Sequence, residues 1–226
     1  MPEIVFTDVH HRFGDRKVLR GIDLTLTEQR IGVVGANGSG KSTLARMING
    51  LHAPERGTVT VDGLDTRRKA GRVRRKVGFV FTDPDHQIVM PTVAEDIAFS
   101  LRRHRLGKDE RAARVTETLE RFGLGGHADH PAHLLSGGQK QLLALAAVLV
   151  TEPEVIVADE PTTLLDLRNT RRFAETLAGL PQQVIVVSHQ LEMLADFDRV
   201  LVVIDGRIAA DDLPGPALDF YRRSAR

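Results

Sequence analysis

The chain has 226 residues, with 31 basic and 30 acidic side chains and no cysteine. Its size fits one domain, or a core with a small inserted subdomain; the balanced charge makes no demand for nucleic acid, and the lack of cysteine excludes a disulfide framework or thiol chemistry. No apolar run reaches the ~20 residues that span a bilayer, and Met1-Pro2-Glu3-Ile4 does not open a secretory signal, so a soluble, intracellular protein is expected.

Ile4 to Val9 and Ile22 to Leu26 alternate in polarity and read as strands of a half-exposed sheet. Ile31, Val33 and Val34 form a short apolar strand; Leu44, Ala45, Met47 and Ile48 follow at helical spacing, with a glycine-rich loop between. Thr58 to Val61 is a further strand, closed by an Asp62-Gly63 turn. Arg67, Arg68, Lys69, Arg72, Arg74, Arg75 and Lys76 form a basic run. It reads first as a solvated face, and second as a contact for lipid headgroups or a membrane partner. Thr92 caps a helix to about Arg103, Lys108 to Phe122 is a second helix, and Gln139 to Val150 an apolar third. His127, His130 and His133 have a metal-like spacing, but Pro131 stops one helix from presenting all three. Val155 to Asp159, Asp166 to Leu180, Val184 to Val187 and Val200 to Ile204 continue an alternation of strand and helix that belongs to a mostly parallel sheet.

Two runs carry the chemistry. In Gly35-Ala36-Asn37-Gly38-Ser39-Gly40-Lys41-Ser42-Thr43, the glycines let the backbone curl and turn several N–H groups inward. The following helix adds its positive end. In this pattern Lys41 reaches the β- and γ-phosphates and Ser42 ligates Mg²⁺. Val155 to Asp159 ends in a carboxylate followed at once by Glu160. A buried parallel strand delivers such acids to the ligand crevice of an α/β sheet. Asp159 suits the Mg²⁺ shell, and Glu160 suits the attacking water. The plain alternatives are a chance match to a loose loop pattern and two acids that merely end a strand. In the second run, Leu135-Ser136-Gly137-Gly138-Gln139, Ser136 can cap the helix starting near Gln139, so its free N–H groups face an anion.

With these motifs in this order, the chain resembles the ATPase subunit of ABC transporters over nearly its whole length. The resemblance implies an α/β P-loop NTPase, RecA-like, with an antiparallel β-subdomain and a helical subdomain inserted at about 88–150 of a single domain spanning 1–226. Phe13 lies where the family keeps an aromatic that stacks on adenine, with one plain alternative, that it is simply core. Gly35 to Thr43 match Walker A; Ser136, Gly137, Gly138 and Gln139 match the signature; Asp159 and Glu160 match Walker B and the catalytic glutamate; Pro161 to Asp166 resemble the D-loop; His189 matches the switch histidine. The resemblance implies that ATP on Lys41 of one subunit is closed over by the signature of a second, in a homodimer or a heterodimer, with Mg²⁺ bound. Thr82 stands where the family usually has the Q-loop glutamine, and Asp83, Asp85 and Gln87 follow on a segment resembling energy-coupling-factor importers. Such importers take up vitamins or Co²⁺ and Ni²⁺ through separate scaffold and substrate-binding membrane subunits. Thr82 and the short C-terminus look most like the biotin-uptake members. The implied place is the cytoplasmic face of the membrane. A soluble ABC-type ATPase acting on a macromolecular complex is the second reading, and a small-molecule kinase the third; neither the signature nor His189 is needed by a kinase.

Overall fold

The computed structural model describes residues 1–224. In chain order the strands are β1 (Ile4–Phe13), β2 (Arg16–Leu26), β3 (Arg30–Val34), β4 (Arg56–Val61), β5 (Leu64–Asp65), β6 (Val77–Val80), β7 (Val155–Asp159), β8 (Gln183–Val187), β9 (Arg199–Ile204) and β10 (Arg207–Asp212). The α-helices are α1 (Lys41–Ile48), α2 (Ala70–Lys76), α3 (Val93–Ser100), α4 (Lys108–Arg121), α5 (Gly137–Leu149), α6 (Leu167–Ala178) and α7 (Pro214–Ser224). They fall into two compact units. One holds Met1–Phe79, Glu154–Glu160 and the chain from Leu180 on; the other holds Val80–Pro153 and Pro161–Gly179.

The first unit contains both sheets. An antiparallel sheet runs in the order β2-β1-β4-β5, with Ile4 opposite Leu26 on one side and Val61 on the other. Alternation along β1 and β2 buries Ile4, Phe6, Val9, Ile22, Leu24 and Leu26 and leaves the other face wet. The second sheet runs β10-β9-β3-β8-β7-β6. Its pairs β9–β3, β3–β8 and β8–β7 are parallel, and β10 returns antiparallel as a hairpin on β9. The central strands are covered on both faces, so Ile31 to Val34, Val155 to Ala158 and Val184 to Val187 read as Val/Ile runs broken only by Gly32 and Ala158. Helix α1 packs Leu44, Met47 and Ile48 onto β7 and β8. Each such side chain contributes about 1.5–3 kcal/mol on burial. That packing fixes the axis of α1, and with it the direction of the loop feeding its N-terminus.

The second unit is helical. Helix α5 is buried nearly all round, with Leu142 to Ala147 inaccessible and α3 and α6 against it. Capping boxes open two of its helices: Thr92 with Glu95 before α3, and Ser136 with Gln139 before α5. Here the sequence reading needs correction: α5 begins at Gly137, because Ser136 caps it directly and Gln139 lies already in its first turn. The helix from Thr92 ends at Ser100, and a 3-10 turn takes Leu101 to Arg103. Strand β2 starts at Arg16, earlier than the alternation suggested; β6, β10, α2 and α7 carry little periodic signal of their own.

Candidate nucleotide-binding and hydrolysis site

Strand β3 stops at Val34, and the chain from Gly35 to Gly40 curls before α1 starts at Lys41. Gly35 (φ +155) has no room for a side chain: a Cβ there would run into the carbonyl of Val203. At Gly40 (φ +110) a Cβ would sit 2.8 Å from the Val18 carbonyl. Both positions need glycine. The curl is pinned from within and without: Ser39 N–H donates to Ala36 O (3.1 Å), Gly206 N–H to Ser39 O (3.0 Å), and Arg16 Nη2 to Gly38 O (3.1 Å).

Lys41 is 5% exposed, and its Nζ donates to the loop's own carbonyls, Gly35 O at 2.8 Å and Ala36 O at 3.0 Å. Burial pushes its pKa down, against the pull of the Glu160 and Asp159 carboxylates. An ammonium in that setting gains by meeting phosphate oxygens. Ser39 Oγ is buried with no hydrogen-bond partner among the described residues, so the loop holds a hydroxyl donor to spare. These features fit a polyphosphate.

Asp159, at the tip of β7 and 1% exposed, accepts from Ser42 Oγ on Oδ1 (2.7 Å) and from Arg46 Nη2 on Oδ2 (3.1 Å). One hydroxyl and one carboxylate form a hard-oxygen pair that fits Mg²⁺, an ion that takes one or two protein oxygens and completes its shell with phosphate and water. No cluster of three or more His, Asp or Glu able to hold a metal occurs among the described residues. Glu160 follows with φ +51, a left-handed conformation costing about 1–2 kcal/mol for a residue with a side chain. Its N–H donates to Val187 O (2.9 Å), which ties it to the end of β8. Two residues past that end, His189 Nδ1 meets Glu160 Oε2 at 2.6 Å. Ser188, fully buried between them, accepts from Gln190 N–H and shapes the turn. Lys41, Ser42, Asp159, Glu160 and His189 thus all lie in the first unit, on the C-terminal ends of parallel strands or the helix facing them.

Phe13 closes β1 and is 51% exposed, so it is not core. Its ring meets His11 (centroids 4.7 Å, 86°) and His52 (5.6 Å, 72°) edge to face. Such a propped, open ring suits stacking. His52 is held below the usual imidazole range by burial, with Arg46 and His11 adding to it. Sequence reasoning missed His11, His52, Arg16 and Arg46. Arg46 was within reach, since four residues after Ser42 it shares that residue's helix face.

In the helical unit, Ser136 Oγ accepts from Gln139 N–H (3.3 Å) and Gln139 Oε1 accepts from Ser136 N–H (2.9 Å). Gly137 and Gly138 are the first helical residues, so their N–H groups have no partner within the helix. The segment after β6 is pinned to the same helix. Asp83 caps a 3-10 turn by accepting from Asp85 N–H (3.0 Å), and Asp85 pairs with Lys140 at 2.7 Å. Gln87 Oε1 accepts from Phe81 N–H (3.1 Å) while Gln87 Nε2 donates to Ala144 O (2.9 Å). Both ends of that carboxamide are therefore engaged inside the helical unit. Thr82 sits at the start of this segment.

A pinned glycine loop on a strand-to-helix turn, with acids at the end of a parallel strand one strand removed in the same sheet, defines a P-loop nucleotide hydrolase. The sequence profile of the ABC transporter family matches residues 19–163, and the chain belongs to that family as an ATP-binding, ATP-hydrolysing subunit. It is 58% identical to a putative ABC transporter ATP-binding protein of Deinococcus radiodurans, over 95% of each chain. It is 47% identical to a biotin transport ATP-binding protein of Rhizobium etli, over 98% of this chain and 99% of that one. Among solved structures, cbiO1 of Clostridium perfringens, part of the ABC transporter complex cbiONQ, superposes with a TM-score of 0.84 at 30% identity, covering 96% of this chain and 90% of that one. Among the described residues no helix is long and apolar enough to cross a membrane.

Proposed function

We propose that this chain energises uptake of a small molecule, a vitamin such as biotin or a Co²⁺ or Ni²⁺ ion, through separate scaffold and substrate-binding membrane subunits. It would sit on the cytoplasmic face of the membrane as a peripheral subunit of an energy-coupling-factor importer. The observation that carries this reading is the near end-to-end likeness to a biotin transport ATP-binding protein, on a chain whose loop and acids fit ATP. In this reading Phe13 stacks on adenine. Gly35, Ala36, Asn37, Gly38, Ser39, Gly40 and Thr43 wrap the phosphates, and Lys41 neutralises the β- and γ-oxygens. Ser42 and Asp159 hold Mg²⁺, which when bound spreads the phosphate charge. Glu160 takes a proton from the water that attacks the γ-phosphorus; the bridging bond to the β-phosphate breaks, leaving ADP and phosphate. His189, bonded to Glu160 Oε2, orients that carboxylate and contacts the γ-phosphate.

The signature has a function only if a second subunit supplies the anion. Ser136, Gly137, Gly138 and Gln139 carry no charge, and their free N–H groups open α5. So ATP held by one subunit is closed over by the signature of another, identical or closely related. Sizing of Glu160→Gln with and without ATP tests this: a dimer is expected with ATP, and Ser136→Arg added to it should fill the phosphate seat and abolish the dimer. A dimer indifferent to ATP, or to Ser136→Arg, would sink the reading.

A further inference from the structure

In the helical unit a polar contact on the signature itself is not used by the nucleotide chemistry. His127 Nε2 lies 3.1 Å from Gln139 Nε2. The orientation of the Gln139 carboxamide is settled by its other end: Ser136 N–H is a donor only, and the oxygen that accepts from it sits at 2.9 Å. The NH₂ must therefore face His127, so the imidazole presents a lone pair at Nε2 and carries its proton on Nδ1. Nδ1 is buried and has no hydrogen-bond partner among the described residues. The ring is steadied instead by His130, edge to face at 5.7 Å and 88°.

We propose that His127 is a positioning residue of the signature: its Nε2 lone pair holds the Gln139 carboxamide in the one orientation that caps Ser136. This rests on the signature reading above. The chain of dependence is short. Gln139 Oε1 fixes the Ser136 backbone, Ser136 Oγ returns a bond to Gln139 N–H, and the pair sets the direction of the first N–H groups of α5. If the imidazole takes a second proton, Nε2 becomes a donor facing a donor. The carboxamide must then turn its oxygen toward His127 and abandon Ser136. Acid would thus loosen the anion seat without touching the loop that binds the nucleotide. The titratable groups beside it include His130 on the same turn, and Glu120 of α4 beside Gly125 where that turn begins. From α5, Gln139 faces the ring, while Lys140 is engaged with Asp85. Among the described residues no carboxylate bonds to either nitrogen of His127.

The test is the ATP concentration at half-dimerisation of Glu160→Gln, measured at about pH 8 and about pH 6, a span in which histidine ordinarily changes charge. His127→Gln keeps an acceptor at similar reach but does not titrate. It should match His127 within about two-fold at the higher pH and hold its dimer better by about three- to ten-fold at the lower, the value of one hydrogen bond. His127→Leu removes the acceptor and should raise the midpoint by a similar factor at both pH values. Labelled-ATP binding to the monomers should stay equal throughout. Every variant carries the same nucleotide site, so the difference between His127 and His127→Gln is what counts. Equal pH dependence in those two, or an unshifted His127→Leu, overturns the proposal. If His127→Leu fails to fold, the comparison with His127→Gln still decides. Ser136→Arg run alongside reports on the signature reading by itself: persistence of the dimer there removes both.

Discussion

Glu160 carries the sharpest expectation. The residue is held at backbone and side chain, by its backbone N–H on Val187 O and by His189 on carboxylate Oε2. Glu160→Gln keeps the shape and the capacity to accept, but cannot take a proton. Turnover should fall by about 10²–10⁴ while ATP affinity holds, since the residue meets water rather than phosphate charge. Turnover near that of the native chain, with affinity unchanged, would remove the residue from the chemistry. The position of Glu160 was legible in the sequence, one step past an apolar run. Its left-handed backbone and its His189 partner were not, because they depend on β7 and β8 lying side by side, a pairing of residues 155–159 with 183–187 that no local pattern announces. Phe13 shows the same limit: an aromatic after a strand reads as core or as platform equally well, and only exposure decides.

Helix α3 holds a buried acid whose titration can be followed as stability. Asp96 is 3% exposed, and its Oδ1 accepts from Val89 N–H (2.9 Å) and Met90 N–H (3.1 Å). Burial, the larger influence, raises its pKa above the ordinary carboxylate range, and the two N–H groups only partly offset this. The folded state therefore binds this proton more tightly than the unfolded chain does. The contribution of this carboxyl is greatest below the unfolded value and is lost as pH rises through the folded one. Asp96→Asn keeps the accepting oxygen and carries no charge. Its melting temperature should equal or exceed that of the native chain at neutral pH, and the gap should close as pH falls below about 4, where carboxylates ordinarily protonate. A clear loss of stability at neutral pH would show that charge on Asp96 is favourable. The element pattern itself was readable where the signals are local: the apolar strands, the cap at Thr92, the glycine loop. It failed by two residues at Ser136, where the apolar stripe starts later than the helix does, and it passed over β6 and α2, whose short spans sit in polar or mixed surroundings.

For the assembled transporter, we propose that the membrane partner docks on the coupling loop that the family resemblance implies, Thr82, Asp83, Asp85 and Gln87. Asp85→Ala removes an exposed pair with Lys140, worth at most about 1 kcal/mol. Gln87→Ala removes the acceptor for Phe81 N–H and the tie to Ala144 O, and should cost about 1–2 kcal/mol. Together they should weaken co-purification with membrane subunits and leave ATP affinity of the isolated chain unchanged. Wild-type recovery of the complex from the double variant would move the docking point elsewhere. The sequence marked Thr82 as a departure from the family's glutamine, with Gln87 five residues on. The engagement of Gln87 at both ends is a long-range fact, set by α5 lying alongside. That same engagement has a mechanical meaning. Ala144 lies seven residues from Gly137 along α5, a distance of about 10 Å at the helical rise of ~1.5 Å per residue. A rod of that length pivoted at one end sweeps its tip by about 2 Å for each ~10° of rotation. A docking helix that tilts the segment slightly would swing Ser136 by more than a hydrogen bond tolerates. Transport state and ATP closure would then be geared to each other by leverage along one helix.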